Sequence, residues 1–204
     1  YDPVIVVACS SAEYGASLTP ENTPIKEEVP LLPLHPYGVS KVAQDLLSFQ
    51  YYQNDKIRSI RARIFNTTGP RKTNDVTADF TMRAVRIEKG LEKKLRVGNL
   101  ETKRAITDVR DLVSALVLLS DKGRWGDVYN ISGEKAYQIK EIIPIIEKYM
   151  GIALDYEIDP TLLRPTDEPI IFGDSGKLKK DTGWQQTYRL ETTIHDMIDY
   201  LRSK

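Results

Sequence analysis

Pro36-Tyr37-Gly38-Val39-Ser40-Lys41 opens a helix predicted to run to about Asn54, and the segments on either side of it decide the fold. Proline suits the first helical position, where its missing N–H has no intrahelical partner to lose. Tyr37 and Lys41 then stand one turn apart on one face. A free phenol titrates near ~10, so it handles protons at neutral pH only when a neighbouring cation stabilises its anion. Lys41 is spaced to do so. A lone Tyr-x-x-x-Lys also arises by chance on amphipathic helices, so the flanking segments carry the argument.

Upstream, Pro3-Val4-Ile5-Val6-Val7-Ala8-Cys9 is a continuous apolar, largely β-branched run, the pattern of a strand buried on both faces of a parallel sheet. Ser10-Ser11-Ala12-Glu13-Tyr14-Gly15 then puts small hydroxyls at that strand's carboxyl end, where open α/β sheets bind ligands. After the helix, residues 57–65 read as the next strand and lead into Asn66-Thr67-Thr68-Gly69-Pro70. Strand, hydroxyl-bearing turn, Tyr/Lys helix and strand make one α/β unit. The helix carries Val39, Val42, Ala43, Leu46, Leu47, Phe49, Tyr51 and Tyr52, more than one narrow apolar stripe, which predicts heavy burial.

Residues 16–35 are rich in proline and polar side chains and read as a long loop, either a surface wrap or a wall over the site. Further helices are predicted over residues 76–89, from within 104–111 with Thr107 or Asp108 as N-cap, over 138–149 with Pro144 marking a kink or offset start, over 174–182 closed by Gly183, and over 190–202. Leu112, Ala115, Leu116 and Leu119 recur at helical spacing and read as core. Short strands are predicted near residues 95–100, 127–131 and 154–158.

The 204 residues are 41% hydrophobic and 28% charged, an ordinary globular balance. Basic and acidic residues number 29 each, which argues against a nucleic-acid footprint or a basic membrane-surface patch. The single cysteine, Cys9, excludes an internal disulfide framework and fits a reducing cytoplasm. No apolar run approaches the ~18 residues of a membrane-spanning helix.

The pieces SSAEYG, PYGVSK, RIFNTTGP, GNLETKRAITDVRD, GDVYNISG and LRPTDEP, in this order and at this spacing, resemble the extended short-chain dehydrogenase/reductase superfamily in its nucleotide-sugar-modifying branch. The likeness spans essentially the whole chain and is greatest to the GDP-4-keto-6-deoxy-mannose reductases, then to the GDP-mannose 4,6-dehydratases. It implies an α/β fold: the C-terminal part of a Rossmann-like doubly wound parallel sheet, mainly residues 1–135, and a small substrate-binding lobe, mainly residues 136–204, with the two interleaved. It also implies a homodimer formed through the Tyr37 helix.

The resemblance implies roles residue by residue. Ser10, Tyr37 and Lys41 would be catalytic and, with Phe65, would touch NAD or NADP. Tyr37 would give a proton to a sugar carbonyl, Lys41 would ease that transfer and hold the nicotinamide ribose, and Ser10 would polarise the carbonyl oxygen. Ser11 is the alternative in the doublet, and anchoring on Tyr14-Gly15 favours Ser10. Asn66, Asn99, Arg104, Arg164 and Asp167 match positions that contact the GDP-sugar, the two arginines suiting phosphates. No metal ligand is implied. Where aspartate usually follows the first arginine, this chain has Ala105. Dehydratases of the family place a glutamate two residues before the Tyr-Gly pair; here that position is Ala12, and the adjacent Glu13 is expected on the opposite face. Carbonyl reduction is therefore expected, with dehydration or epimerisation as the alternative.

Members of the superfamily begin with a G-x-x-G-x-x-G turn whose following helix N-terminus holds the dinucleotide pyrophosphate. Gly69-Pro70, Gly123 and Gly126 do not have that form. The chain accordingly reads as the C-terminal part of a longer enzyme without its N-terminal dinucleotide-binding strands. By itself it is expected to bind NAD or NADP weakly and to be inactive, or to be a non-catalytic module.

Overall fold

The computed structural model describes residues 3–163 and 167–204. The apolar run forms β1 (Ile5–Ser10), the Tyr/Lys segment forms α1 (Pro36–Asp55), and β2 (Ser59–Ile64) and β3 (Asn66–Thr68) follow. The chain continues through α2 (Val76–Glu88), β4 (Leu95–Val97), β5 (Lys103–Asp108), α3 (Val109–Lys122), β6 (Val128–Ile131) and β7 (Ala136–Gln138). It ends with α4 (Ile142–Met150), β8 (Tyr156–Ile158), β9 (Ile170–Ile171), α5 (Gly176–Thr182) and α6 (Leu190–Arg202).

One sheet has the order β1-β2-β6 and is wholly parallel, with Ser10 opposite Ile64 and Ile64 opposite Ile131. Strand alternation divides β2 between two environments. Ile60 and Ala62 are buried against Ala115 and Leu119 of α3, Tyr129 and Ile131 of β6, and Leu178 and Trp184. Ser59, Arg61 and Arg63 point the other way, where their side chains bond Ser48 and Asp45 of α1.

That polar interface corrects the expectation for α1. Its buried residues are Gly38, Asp45 and Ser48, whereas Val39, Leu46, Leu47, Phe49 and Tyr51 are exposed. The residues facing the sheet are Gly38, Lys41, Asp45, Ser48 and Tyr52, a stripe of helical period made mostly of polar groups. Hydrophobicity located the helix but not the side it packs with, because the sheet face beneath it is itself ionic. The apolar face is left to solvent.

A second sheet joins β3, β5 and β7, with β9 added in parallel to β5, and β4 pairs with β8. The segment read as leading into a helix from Arg104 is strand β5, and Asp108 caps α3 by accepting from the Arg110 N–H at 2.8 Å. These pieces cover a separate core of Phe80, Ala84, Val85, Leu95, Val97, Ile142, Ile143, Ile146, Leu190, Ile194 and Ile198. Pro144 falls in the first turn of α4, where its missing N–H costs nothing, so it marks an offset start.

The 16–35 loop is anchored: Leu18 and Ile25 pack with Tyr14 and Phe65, and Ile25 bridges to Gly173. Among the described residues no helix is long and apolar enough to cross a membrane.

Candidate active site

Ser10 ends β1 and caps a 3-10 turn over Ser11–Glu13. Its Oγ accepts from the Ala12 N–H at 3.2 Å, and its own N–H donates to Glu13 Oε1 at 2.8 Å. Accepting with a lone pair leaves the Ser10 O–H free to donate. Ser11 lies inside the turn and caps nothing, so of the two serines Ser10 stands at the strand's carboxyl end.

α1 begins directly over that turn. His35 caps it, Nδ1 accepting from the Gly38 N–H at 3.2 Å, and Pro36 takes the first helical position. A Cβ on Gly38 would lie 2.6 Å from the Ala12 carbonyl oxygen and 2.9 Å from the Pro33 Cβ, so glycine is what lets the helix start approach the Ser10 turn. Tyr37 is 55% exposed there, and the Lys41 Nζ sits 5.8 Å from its ring centroid, one turn along the same face. The Lys41 ammonium donates to the Ala8 carbonyl at 2.7 Å and to Gln44 Oε1 at 3.0 Å, which fastens it to β1 two residues before Ser10.

Beneath these groups lies a buried ionic cluster that sequence reading did not assign. Asp45 is fully buried and accepts from Arg61 Nη1 at 2.9 Å with one oxygen and from Arg63 Nε at 3.0 Å with the other. Glu13, also fully buried, has Oε2 3.3 Å from Arg63 Nε but without a hydrogen bond. Burial is the main reason its carboxyl is pushed up from the ordinary range. Cys9, Glu13 and Asp45 bring potential ligand atoms within 4.8 Å of one another, but the Arg63 guanidinium already stands against both carboxyls as the cation. Burial raises the Cys9 thiol as well, which disfavours its thiolate form. A signal for part of this cluster existed: Asp45 follows Lys41 by one helical turn and so shares its face.

Asn66 starts β3 two residues beyond Ile64, the partner of Ser10, so it lies just past the same sheet edge. Its Oδ1 is buried and has no hydrogen-bond partner among the described residues. The Phe65 ring packs in the core 6.1 Å from Tyr14, so any contact with a cofactor falls to its backbone. Asn99 is exposed and closes its own turn, Oδ1 accepting from the Glu101 N–H at 2.9 Å.

Arg104 and Asp167 are brought together, with Nη2 4.0 Å from Oδ1. Arg104 Nη1 also donates to the Lys103 and Glu168 carbonyls, each at 2.9 Å, so backbone oxygens and Asp167 orient it where Ala105 cannot. Arg164 lies outside the described residues.

The profile of the GDP-mannose 4,6-dehydratase family matches residues 2–197. Over 197 residues the chain is 28% identical to GDP-6-deoxy-D-mannose reductase of Pseudomonas aeruginosa, covering 96% of this chain and 65% of that protein. It is 29% identical over 195 residues to GDP-mannose 4,6 dehydratase 1 of Arabidopsis thaliana, covering 94% of this chain and 53% of that one. The structure of RMD from Pseudomonas aeruginosa complexed with NADPH matches with a TM-score of 0.91 at 28% identity, over 98% of this chain and 66% of that chain. The chain thus spans 65% and 53% of the lengths of these two relatives.

Proposed function

The chain belongs to the GDP-mannose 4,6-dehydratase family, and from that premise we propose that it carries the proton-transfer and sugar-nucleotide-binding part of an NAD(P)-dependent reductase. Its substrate would be a GDP-4-keto-6-deoxyhexose and its product a GDP-6-deoxyhexose such as GDP-rhamnose. The observation that carries this reading is the seating of α1 on the Ser10 turn. Gly38 lies against Ala12 and Lys41 bonds the Ala8 carbonyl, so Tyr37, Lys41 and Ser10 share one sheet edge.

The residues fit the nicotinamide–ribose end of a dinucleotide. Of the three ammonium N–H groups of Lys41, two serve Ala8 and Gln44, leaving one for a ribose hydroxyl. When bound, the nicotinamide supplies the hydride. The Tyr37 phenol donates a proton to the sugar oxygen, Lys41 supports the phenolate that remains, and the free Ser10 O–H hydrogen-bonds the same oxygen as charge develops on it. Asn66 Oδ1 accepts from a sugar hydroxyl, while Arg104, Arg164 and Asn99 hold the nucleotide and Asp167 a ribose hydroxyl.

Reduction is favoured over 4,6-dehydration because dehydration also needs a base for the sugar carbon 5 proton. Ala12 supplies none, and the Glu13 carboxyl is buried against Ser10 N and Arg63. Without a G-x-x-G-x-x-G turn in its sequence, the 204-residue chain alone is proposed to bind NADPH weakly and to be inactive until joined to a dinucleotide-binding half. The exposed Val39, Leu46, Leu47, Phe49 and Tyr51 face of α1 supports a homodimer through that helix. A reducing, cytoplasmic setting fits the single buried cysteine.

Product analysis tests the reading. The joined enzyme, given GDP-4-keto-6-deoxy-mannose and NADPH, should consume NADPH and yield GDP-rhamnose. Conversion of GDP-mannose to the 4-keto sugar would replace it with the dehydratase reading.

A further inference from the structure

Glu13 takes no part in the reaction just proposed, yet it is a wholly buried carboxyl one turn from the proposed active serine. Burying such a group is costly unless its hydrogen bonds repay the lost hydration. The bond it makes is specific: Oε1 accepts the Ser10 N–H at 2.8 Å, while Ser10 Oγ accepts from Ala12, so two anchors set the Ser10 backbone. Its other oxygen lies 3.3 Å from Arg63 Nε, but that N–H is aimed at Asp45 Oδ2, 3.0 Å away. Asp45 belongs to α1 and follows Lys41 by one turn. The Ser10 turn, β2 and the Tyr37/Lys41 helix therefore meet at one guanidinium.

We propose that Glu13 is a positioning residue for Ser10: its carboxyl closes the turn through the Ser10 N–H and sets that turn against Asp45 of the helix carrying Tyr37 and Lys41. The inference rests on the functional reading above only for the role of Ser10. Burial disfavours the carboxylate, and the neighbouring Asp45 carboxylate acts in the same direction by accepting a hydrogen bond from the protonated Oε2. A neutral carboxyl and a glutamine amide then present the same acceptor to Ser10.

Amide hydrogen exchange by NMR on the chain itself tests this without substrate. Glu13→Ala should speed exchange at Ser10 by about 100-fold or more while the Arg61 and Arg63 amides of β2 stay within about threefold, the mark of local opening. Glu13→Gln should restore Ser10 protection. Unchanged Ser10 exchange in Glu13→Ala, an equal rise across β1 and β2, or failure of glutamine to restore protection would each overturn the proposal. Should the alanine variant not fold, Glu13→Leu fills the space without an acceptor and is read the same way; should neither fold, Ser10 protection in Glu13→Gln decides. Failure of the reductase reading would show separately, as a joined enzyme that forms no GDP-rhamnose.

Discussion

Replacing Asp45 with asparagine removes the charge shared by the half-buried Arg61 and buried Arg63 guanidiniums. In the wild type its oxygens accept from Arg61 at 2.9 Å and Arg63 at 3.0 Å, and its side chain is 0% exposed, so water cannot replace it. Removing one partner of a buried ion pair costs about 3–5 kcal/mol, because the remaining charge stays buried. Glu13 makes that loss depend on pH. Burial pushes its carboxyl up to about 7 from an ordinary 4.5, so its stabilising contribution is complete below 4.5 and is lost as pH rises through 7. In Asp45→Asn, a like charge is gone and Arg63 needs a counterion, so Glu13 ionises at lower pH and takes over the pairing from 3.3 Å. The loss should therefore be about 3–5 kcal/mol at pH 5 and smaller by about 1–3 kcal/mol at pH 8, since each pKa unit is worth ~1.4 kcal/mol. Urea unfolding followed by the fluorescence of buried Trp184 measures both values. A loss below about 1 kcal/mol at pH 5, or one that grows with pH, would refute the reasoning about how this cluster shares its charge.

Three further outcomes are expected. Gly38→Ala should destabilise by about 1–2 kcal/mol in the same unfolding assay, because a Cβ 2.6 Å from the Ala12 carbonyl oxygen cannot be relieved by a rotamer change and outweighs the helix gain; a stabilised variant would show that the helix start does not press on the Ser10 turn. Leu47→Glu, on the exposed face of α1, should turn a dimer into a monomer by sedimentation, and an unchanged mass would remove this face from the interface. Arg104→Ala should weaken GDP binding in calorimetry by about 1.5–3 kcal/mol, the worth of charge-assisted hydrogen bonds; equal affinity would take Arg104 out of the site.

The core unit was legible because each of its signals is local. The β-branched run Ile5-Val6-Val7 gave β1, proline placed the start of α1, Asp108 capped α3, and Gly183 closed α5 at φ +76°. What escaped depends on distant partners or on segments too short to show a period. β3 and β7 have three residues each and β9 has two, and Arg104 to Asp108 gave no sign of the strands that flank it. The facing of α1 was misread because its sheet-side stripe holds Lys41, Asp45 and Ser48 while its apolar groups face out. Phe65 was assigned to the cofactor by family resemblance alone, and its ring turns into the core. The pairing of Asp45 with Arg63 joins residues on separate elements, which no local pattern specifies.

The central claim is that Tyr37, held by α1 over the Ser10 turn, is the proton donor in carbonyl reduction. Steady-state kinetics of Tyr37→Phe in the joined enzyme, with GDP-4-keto-6-deoxy-mannose and NADPH, tests it most directly. The phenol acts on the transition state and little on the bound substrate, so turnover should fall by ~100-fold or more while the Michaelis constant stays within about twofold. Near-normal turnover in the variant would contradict the account.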